Sequence, residues 1–557
     1  MRTYEMIINH TKNKKYAALC QYFQANTADS KRMYNTANFY IRNTMTGLKK
    51  SPEKRTHSEI EVLHYVFTSI QQHNDTKIKE LKALKLRNVG GLHCERIMRD
   101  VLFKKLIPYP TKEKWFLSYE TLDTIFKLTE NPVYRRMNSH VNQNAIRKVI
   151  AAWTGYFKSL KQYDKTPSAF TGKPHIPGYK KEAAYTAWFS NQVAKFKEEG
   201  GKYYISFVNM KEKLCIGNTA IYEGLKYMKT EIKPIYGQYR IHITFDDKIK
   251  EIEAPEHPSR ILGLDPGVGN FLGVANNFGG VPFVIRGGAL KSENRYFNKK
   301  RAKLMSKLTK GSDSQHSAKY SRQLNAISRR RESFLKDYFY KCAWYVCRYA
   351  LSAGVEVIVM GHNKGQKQEI SLNSVNNQNF VSIPYYKFIQ VLKCVAAKCG
   401  IAVVIREESY TSQANLLDMD SIPTYKEGQN IEYTFSGKRV HRGLYQSATG
   451  ILMNADINGA GNIIRKEYPD AFQNIKDFSY LHATTLSIGY KDLYRNAKSV
   501  SARPKKYKYH KSGKYTVIRN SARSAVRSEY RKLWGTCGLV CLQNKDEQNK
   551  TENNKAA

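Results

Sequence analysis

Apolar positions along this chain keep two different rhythms. From about residue 15 to 165 they return at helical spacing, as in AALCQYFQANTADSKRMYNTANFYIRN and AIRKVIAAWTGYFKSLKQY, with Tyr and Phe as the core-facing members. TGKPHIPGYKK, with Pro174 and Pro177, breaks that pattern as a turn-rich connector. Between about 185 and 250 the period falls to two. In GQYRIHITFD, Tyr239, Ile241, Ile243 and Phe245 share one face while Arg240, His242 and Thr244 take the other, and KYYISFVN is similar. These strands predict a small β-barrel completed by EMIIN near residue 5, with the helices inserted after that first strand.

The second half alternates strand and helix. Beyond EAPEHPSR, ILGLDPGVGNFLGVANNFGG sets two apolar runs around a Gly-rich turn, a hairpin opening an α/β region. VEVIVMGHN and IAVVIREESYTS read as strands, IPYYKFIQVLKCVAAKCG as a helix ending at Gly400, and NADINGAGNIIRK as the start of another. This order predicts a mixed sheet with helices on its faces. Residues 291 to 336 hold 14 Lys and Arg against Glu293, Asp313 and Glu332, and Leu304 and Leu308 keep helical spacing. They predict two basic helices broken at KGSDSQHS, with Arg329, Arg330 and Arg331 as candidate nucleic-acid contacts. Past about residue 490 the chain is polar and basic, and its QNKDEQNKTENNKAA end predicts disorder.

Charge narrows the class of partner. Among 557 residues, 92 Lys and Arg face 47 Asp and Glu, a formal net charge of +45. Such a chain repels itself unless a polyanion neutralises it, and a phosphate backbone is the natural counterpart. No apolar run reaches the roughly 18 residues of a membrane span. MRTYEMIINHTKNKKY lacks the apolar core of a signal peptide, so a cytoplasmic location is expected. The nine cysteines, at 20, 94, 215, 342, 347, 394, 399, 537 and 541, form no CxxC pair and read as reduced thiols. Cys394 and Cys399 fall in an apolar helical stretch and are expected in the core rather than on a metal.

Against that basic background, acids at the ends of apolar strands stand out. Asp265 closes ILGLD, Glu407 and Glu408 close IAVVIREE, and Asp456 opens a helix. Taken singly, Asp265 reads as a turn residue, the two glutamates as strand-end surface charges, and Asp456 as a helix N-cap. Taken together they point to one shared site. Three carboxylates converging at a sheet edge suit two Mg²⁺ ions, with Mn²⁺ an alternative, and the absence of His or Cys ligands argues against zinc.

Five segments in series, GLDPGVGNFLGVA, IPYYKFIQVL, EESYTS, FSGKRVHRGLY and NADINGAGNI, resemble TnpB, the transposon-encoded RNA-guided nuclease related to the compact type V CRISPR effectors. The resemblance runs from about 258 to 467. It implies an α/β multidomain chain with an RNase H-like (RuvC) nuclease domain and an N-terminal wedge barrel carrying an inserted helical recognition lobe. The implied parts are a first wedge strand at 1–15, a recognition lobe at 16–170, the wedge at 171–257, and nuclease segments at 258–410 and 448–490. A target-nucleic-acid-binding insert at 411–447 and a basic extension at 491–557 complete the set. The resemblance makes Asp265 and Asp456 the first and third catalytic acids. The implied partners are a guide RNA, transposon-end or CRISPR-derived, and target double-stranded DNA in a prokaryotic cytoplasm.

The chain departs from the family in two places. Gly361 stands where the family usually carries its second acid, after the strand VEVIVMG. In a rearranged subset that glutamate sits before the YTS motif. Because adjacent strand residues face opposite ways, only one of Glu407 and Glu408 can reach the site, and Glu408 is the expected one. The zinc-ribbon cysteines after YTS are also missing, so packing or strand pairing must shape the insert, whose Lys438, Arg439 and Arg442 are candidate phosphate contacts. A catalytically dead RNA-guided repressor and an RNA-binding protein without DNA targeting are the rival readings.

Overall fold

The computed structural model describes residues 2–9, 14–87, 106–217, 222, 224–246, 252–310, 320–362, 383–424, 432–441, 443–475, 477–483 and 485–495. The chain divides between residues 248 and 249 into two compact units.

In the first unit, β1 (Arg2–Ile8) is followed by the helices α1 (Ala17–Lys49), α2 (His57–Arg87), α3 (Tyr119–Leu128) and α4 (Ser139–Lys165). The strands β2 (Ala187–Ser190), β3 (Ala194–Glu199), β4 (Lys202–Phe207), β5 (Leu214–Gly217), β6 (Lys226–Ile235) and β7 (Gln238–Asp246) come after them. They pair into two sheets, β1-β7-β6-β2 and β3-β4-β5. β1 lies antiparallel to β7 with Met6 opposite Ile241, so the helices are an insertion between two members of one sheet. Gly200 and Gly201, at φ 57° and 70°, form the tight left-handed turn that closes the β3–β4 hairpin. Phe23, Phe126, Trp153, Phe189 and Phe245 are fully buried in the core that the helices share with these sheets. The Trp153 indole donates to Asn38 Oδ1 at 2.8 Å, which satisfies its one polar atom inside that core.

In the second unit, a hairpin of β8 (Ile261–Pro266) and β9 (Asn270–Asn276) leads to β10 (Phe283–Arg286) and the helices α5 (Gly288–Thr309) and α6 (Arg322–Ser352). Then come β11 (Val357–Gly361), α7 (Tyr385–Lys398) and β12 (Ala402–Arg406). The small strands β13 (Lys438–His441), β14 (Leu444–Gln446) and β15 (Leu452–Asn454) precede α8 (Ala455–Glu467), and β16 (Leu486–Ile488) follows it. The main sheet runs β12-β11-β8-β9-β10-β16. β8, β11 and β12 are parallel, while β9 is antiparallel to both β8 and β10.

Two cores sandwich this sheet. Phe339, Cys342, Val346, Phe388 and Leu392 of α6 and α7 bury one face, while Ile457, Ala460, Ile463 and Ile464 of α8 bury the other. α8 lies unusually close to the sheet because β9 carries Gly273, where a Cβ would stand 2.5 Å from the Asp456 carbonyl. That approach brings the first turn of α8 to the ends of β8 and β12.

The cysteine reading needs one correction. Cys342 and Cys347 are buried, and Cys399, just past the end of α7, is half-buried against the core beside Cys347, but Cys394 is exposed on the outer side of α7. Cys94, Cys537 and Cys541, the KGSDSQHS break after Lys310 and most of the basic extension lie outside the described residues.

Candidate active site

The parallel strands β8, β11 and β12 all end at one edge of the sheet, where open α/β sheets place their ligand crevices. A cleft of about 350 Å³ opens there, lined by Asp265, Glu408 and Asp456 together with Arg439, Tyr410, Ser412 and Gln413. Three acids some 190 residues apart in sequence thus meet in one concavity, each delivered by a different element.

Each acid has its own support. Asp265 sits at the end of β8, opposite Gly273 of β9. Asp456 lies in the first turn of α8, but it is not the cap expected from its position. Asn454 takes that role, accepting from the backbone N–H of Asp456 at 2.9 Å and of Ile457 at 3.3 Å. The Asp456 carboxylate is thereby released toward the cleft, where Asn270 Nδ2 donates to its Oδ2 at 2.6 Å. Glu408 follows β12 and is fixed through its backbone: its carbonyl accepts from Thr411 Oγ1 at 2.8 Å. The Thr411 carbonyl in turn accepts from Asn462 Nδ2 at 3.0 Å. Asn458 ties the same loop, donating to the Ala414 carbonyl at 2.8 Å and accepting from Leu416 N at 2.9 Å. Asn458 and Asn462 are fully buried, so the asparagines of NADINGAGN act as clamps joining the Asp456 helix to the Glu408 loop. The family resemblance pointed to the motif but not to that task.

Glu407 and Glu408 part company sharply. Glu407 turns to α8, where Lys466 Nζ reaches its Oε2 at 2.5 Å and Ser409 N donates to Oε1 at 2.7 Å. Burial works against its charge, yet the Lys466 and Ser409 hydrogen bonds hold it below the ordinary carboxylate range. Glu408 turns the other way, over β11. A Cβ built on Gly361 would stand 2.6 Å from Glu408 Oε2 and 2.6 Å from Ile463 Cδ1. The missing side chain at 361 is therefore the space that the Glu408 carboxylate occupies. Since β11 lies between β12 and β8, Glu408 crosses it to reach Asp265.

Electrostatically the cleft is under tension. Asp265 keeps some contact with solvent but lies deep among neighbouring atoms, and this desolvation pushes its pKa well above the usual range. The Glu408 and Asp456 carboxylates push it further, and Arg439 opposes them. Tyr385, the buried first tyrosine of IPYYKF, donates to the Gly267 carbonyl at 2.8 Å beneath the turn after Asp265. Its phenol is pushed up by burial and then by Glu408 and Asp265.

The basic candidates separate. Arg439, on β13 opposite Tyr445, reaches the cleft, while Lys438 is exposed beside it and Arg442 lies outside the described residues. Arg330 and Arg331 hold α6 to α5: Arg330 pairs with Glu293 at 3.3 Å and covers Tyr296, and Arg331 Nε donates to Asn294 Oδ1 at 2.8 Å. Arg329 is half-exposed on the same helix. The structure does not bring these three arginines into the acidic cleft.

The insert keeps its shape with acids and hydrogen bonds. β13, β14 and β15 form an antiparallel sheet that runs on to Asn454, past the boundary expected at 447. Asp418 accepts from Ser436 Oγ at 2.9 Å, from Ala448 N at 2.8 Å and from the Asn415 side chain. Asp420 accepts from Asn415 N at 2.8 Å and Ser436 N at 3.1 Å.

Fold and cleft together define a mixed α/β protein whose sheet edge concentrates negative charge within a strongly basic chain. Residues 242–367 match the OrfB_IS605 family, described as a probable transposase, and residues 385–463 match the Cas12f1-like TNB domain. Asp265 lies in the first matched region and Glu408 and Asp456 in the second, so the segments that build the cleft are similar to the TnpB and compact type V effector family. No curated protein matches it. Solved structures similar to it include a Cas12f1–sgRNA–target DNA complex, at 12% identity over 83% of this chain and 98% of that one, with a TM-score of 0.41. Another is the mini-RNA-guided endonuclease CRISPR-Cas_phi3, at 10% identity over 63% and 86%, with a TM-score of 0.36. Among the described residues no helix is long and apolar enough to cross a membrane.

Proposed function

We propose that this chain is an RNA-guided DNA endonuclease with a single RuvC-like site built from Asp265, Glu408 and Asp456. The observation that carries the reading is the meeting of these three acids in one cleft of a chain whose net charge is +45. In a protein that otherwise attracts phosphate, a pocket of mutually repelling carboxylates has a use if cations mediate between it and a phosphodiester.

The donors suit divalent cations of the Mg²⁺ or Mn²⁺ type: they are hard carboxylate oxygens, and burial leaves Asp265 short of positive charge. The side chains do not form a finished cage, for among the described residues no three His, Cys, Asp or Glu are arranged to hold a metal. Asp265, Glu408 and Asp456 would be the ligands, and bound ions would supply an activated water and stabilise the departing oxygen. The protein's own part is positioning. Asn270 orients Asp456, Thr411 and Asn462 hold the Glu408 loop, and Arg439 offers a guanidinium to a phosphate entering the cleft.

In this reading the first unit is the wedge with its inserted recognition lobe, and residues 411–447 form the target-strand insert. Guide RNA pairing supplies sequence specificity, and the protein reads duplex shape and a short flanking DNA motif. The deciding experiment compares the full chain and its Asp265→Ala variant, each with its copurifying RNA, on a matching DNA duplex in Mg²⁺. Cleavage by the first and not the second is expected. Guided binding without cleavage by either would replace the nuclease by a repressor, and no guided binding would remove the RNA-guided reading altogether.

A further inference from the structure

Tyr410 adopts a backbone conformation that its side chain does not favour. Its φ is 60°, in the left-handed region where a bulky residue is a genuine outlier. The turn imposes this: the Tyr410 carbonyl accepts from Gln413 N at 3.0 Å and Ala414 N at 2.9 Å, while Thr411 is tied back to Glu408. Glycine would meet the same turn without strain, so the ring calls for an explanation beyond local folding. It lines the acidic cleft beside Glu408 and meets the Tyr433 ring edge-on at 5.0 Å, with Phe435 at 6.4 Å. Tyr433 is itself 39% exposed. The Tyr410 ring thus lines the cleft with Tyr433 and Phe435 packed against it, beside the acids and the Arg439 of β13.

We infer that Tyr410, backed by Tyr433 and Phe435, stacks on the unpaired nucleobase next to the phosphate held at the acids, making it a substrate-positioning residue that favours single-stranded nucleic acid. The chemistry follows from the layout. A nucleotide whose phosphate lies between Arg439 and the acids carries its base one sugar away, at the cleft wall. Any base offers a π face to an aromatic ring, so such a contact ignores sequence but requires the base to be unpaired. This inference rests on the proposed nuclease reading of the same cleft.

The test uses the full chain with its copurifying RNA and two single-stranded DNA substrates, one intact and one abasic at the nucleotide beside the mapped cut. Four proteins are compared: the unsubstituted chain, Tyr410→Gly, Tyr410→Phe and Asp265→Asn. On intact DNA, Tyr410→Gly is expected to lower kcat/KM roughly tenfold or more, the scale of one lost base stack. Its melting temperature should stay close to that of the unsubstituted chain, since relief of the backbone strain offsets the lost contacts with Tyr433 and Phe435. Tyr410→Phe should retain cleavage. On abasic DNA the unsubstituted chain and Tyr410→Gly should cut equally, because one partner of the stack is already gone. An equal loss on both substrates, or no loss on intact DNA, overturns the stacking role while leaving the nuclease reading in place. Undiminished cleavage by Asp265→Asn, or no cleavage by any protein, overturns the nuclease reading and the stacking role with it.

Discussion

Two groups of acids lie within the same unit and live in opposite surroundings. In the insert, Asp418 and Asp420 are saturated by hydroxyl, amide and backbone N–H donors from residues 415, 436 and 448. In the cleft, Asp265 faces Glu408 and Asp456, with Arg439 the one opposing charge that acts on it among the described residues. Carboxylates that receive donors bring segments together and lower the energy of the fold. Carboxylates that face each other raise it, and are tolerated where another charge completes them. The same contrast separates the neighbours Glu407 and Glu408, one paired to Lys466 and the other turned to Asp265.

The largest expected effect tests whether the cleft acids act against stability. Asp265→Asn removes a charge held in an unfavourable place, so cleavage should fall by more than the roughly 100-fold cost of losing a supporting partner. The fold should respond the other way. A carboxyl whose folded pKa is raised disfavours the folded state once pH exceeds its unfolded value, and stability returns as pH falls. Without divalent cation at neutral pH, the variant should melt higher than the parent, and Mg²⁺ should narrow the gap. A variant that melts lower under both conditions would place Asp265 with the structural acids.

Gly361 comes next. Its alanine methyl would meet Glu408 Oε2 and Ile463 Cδ1 at 2.6 Å each. Gly361→Ala is expected to push the carboxylate from the cleft and lower cleavage about 10- to 100-fold, the range for disturbing a ligand's support. Measured kcat/KM within twofold of the parent would show that Glu408 does not need this space.

How much of this was legible in the sequence depends on range. Strands and helices were readable because period-two and period-3.6 patterns are local, and β1 could be assigned to the first unit's sheet from its apolar EMIIN alone. Asp265, Glu408 and Asp456 could be picked out because acids are scarce in this chain and these three sit at strand or helix ends, but it took the family resemblance to join them into one expected catalytic site. Which of two adjacent glutamates enters the cleft was approachable through strand alternation, but its partner Lys466 lies 59 residues on and leaves no local signal. Nor does the fit between Gly361 and Glu408, which exists only once β11 lies beside β12. The helical pairing of Arg330 and Arg331 was hidden for the same reason: Glu293 and Asn294 are 37 residues away. An excess of basic residues points to a polyanionic partner without showing which arginine would meet it.

Asp418 provides the structural counterpart. Asp418→Ala removes the acceptor of the Ala448 N–H and the Ser436 hydroxyl, both within reach of water, which should cost about 0.5–1.5 kcal/mol of stability. Thermal unfolding would measure it, and added Mg²⁺ should not restore the loss, in contrast with Asp265.

The smallest effect is the most discriminating, because it separates two adjacent glutamates. Glu407 is partly exposed, at 39% of its side chain, so solvent screening limits its pair with the buried Lys466 to less than about 1 kcal/mol. Lys466 also keeps the Ser409 carbonyl and hydroxyl, at 2.9 and 3.0 Å, when Glu407 is neutralised. Glu407→Gln should therefore cut DNA nearly as well as the parent and melt only slightly lower at neutral pH. The pH dependence fixes the sign. Because the folded Glu407 titrates below its ordinary value, its contribution is present above the usual glutamate range and is lost as pH falls through the folded pKa. Parent and variant should thus converge in melting temperature under acid conditions. Glu408→Gln should do the reverse, losing cleavage without losing stability. An inactive Glu407→Gln beside an active Glu408→Gln would exchange the roles of the two residues and refute the packing of Glu408 over Gly361 as the basis of the site.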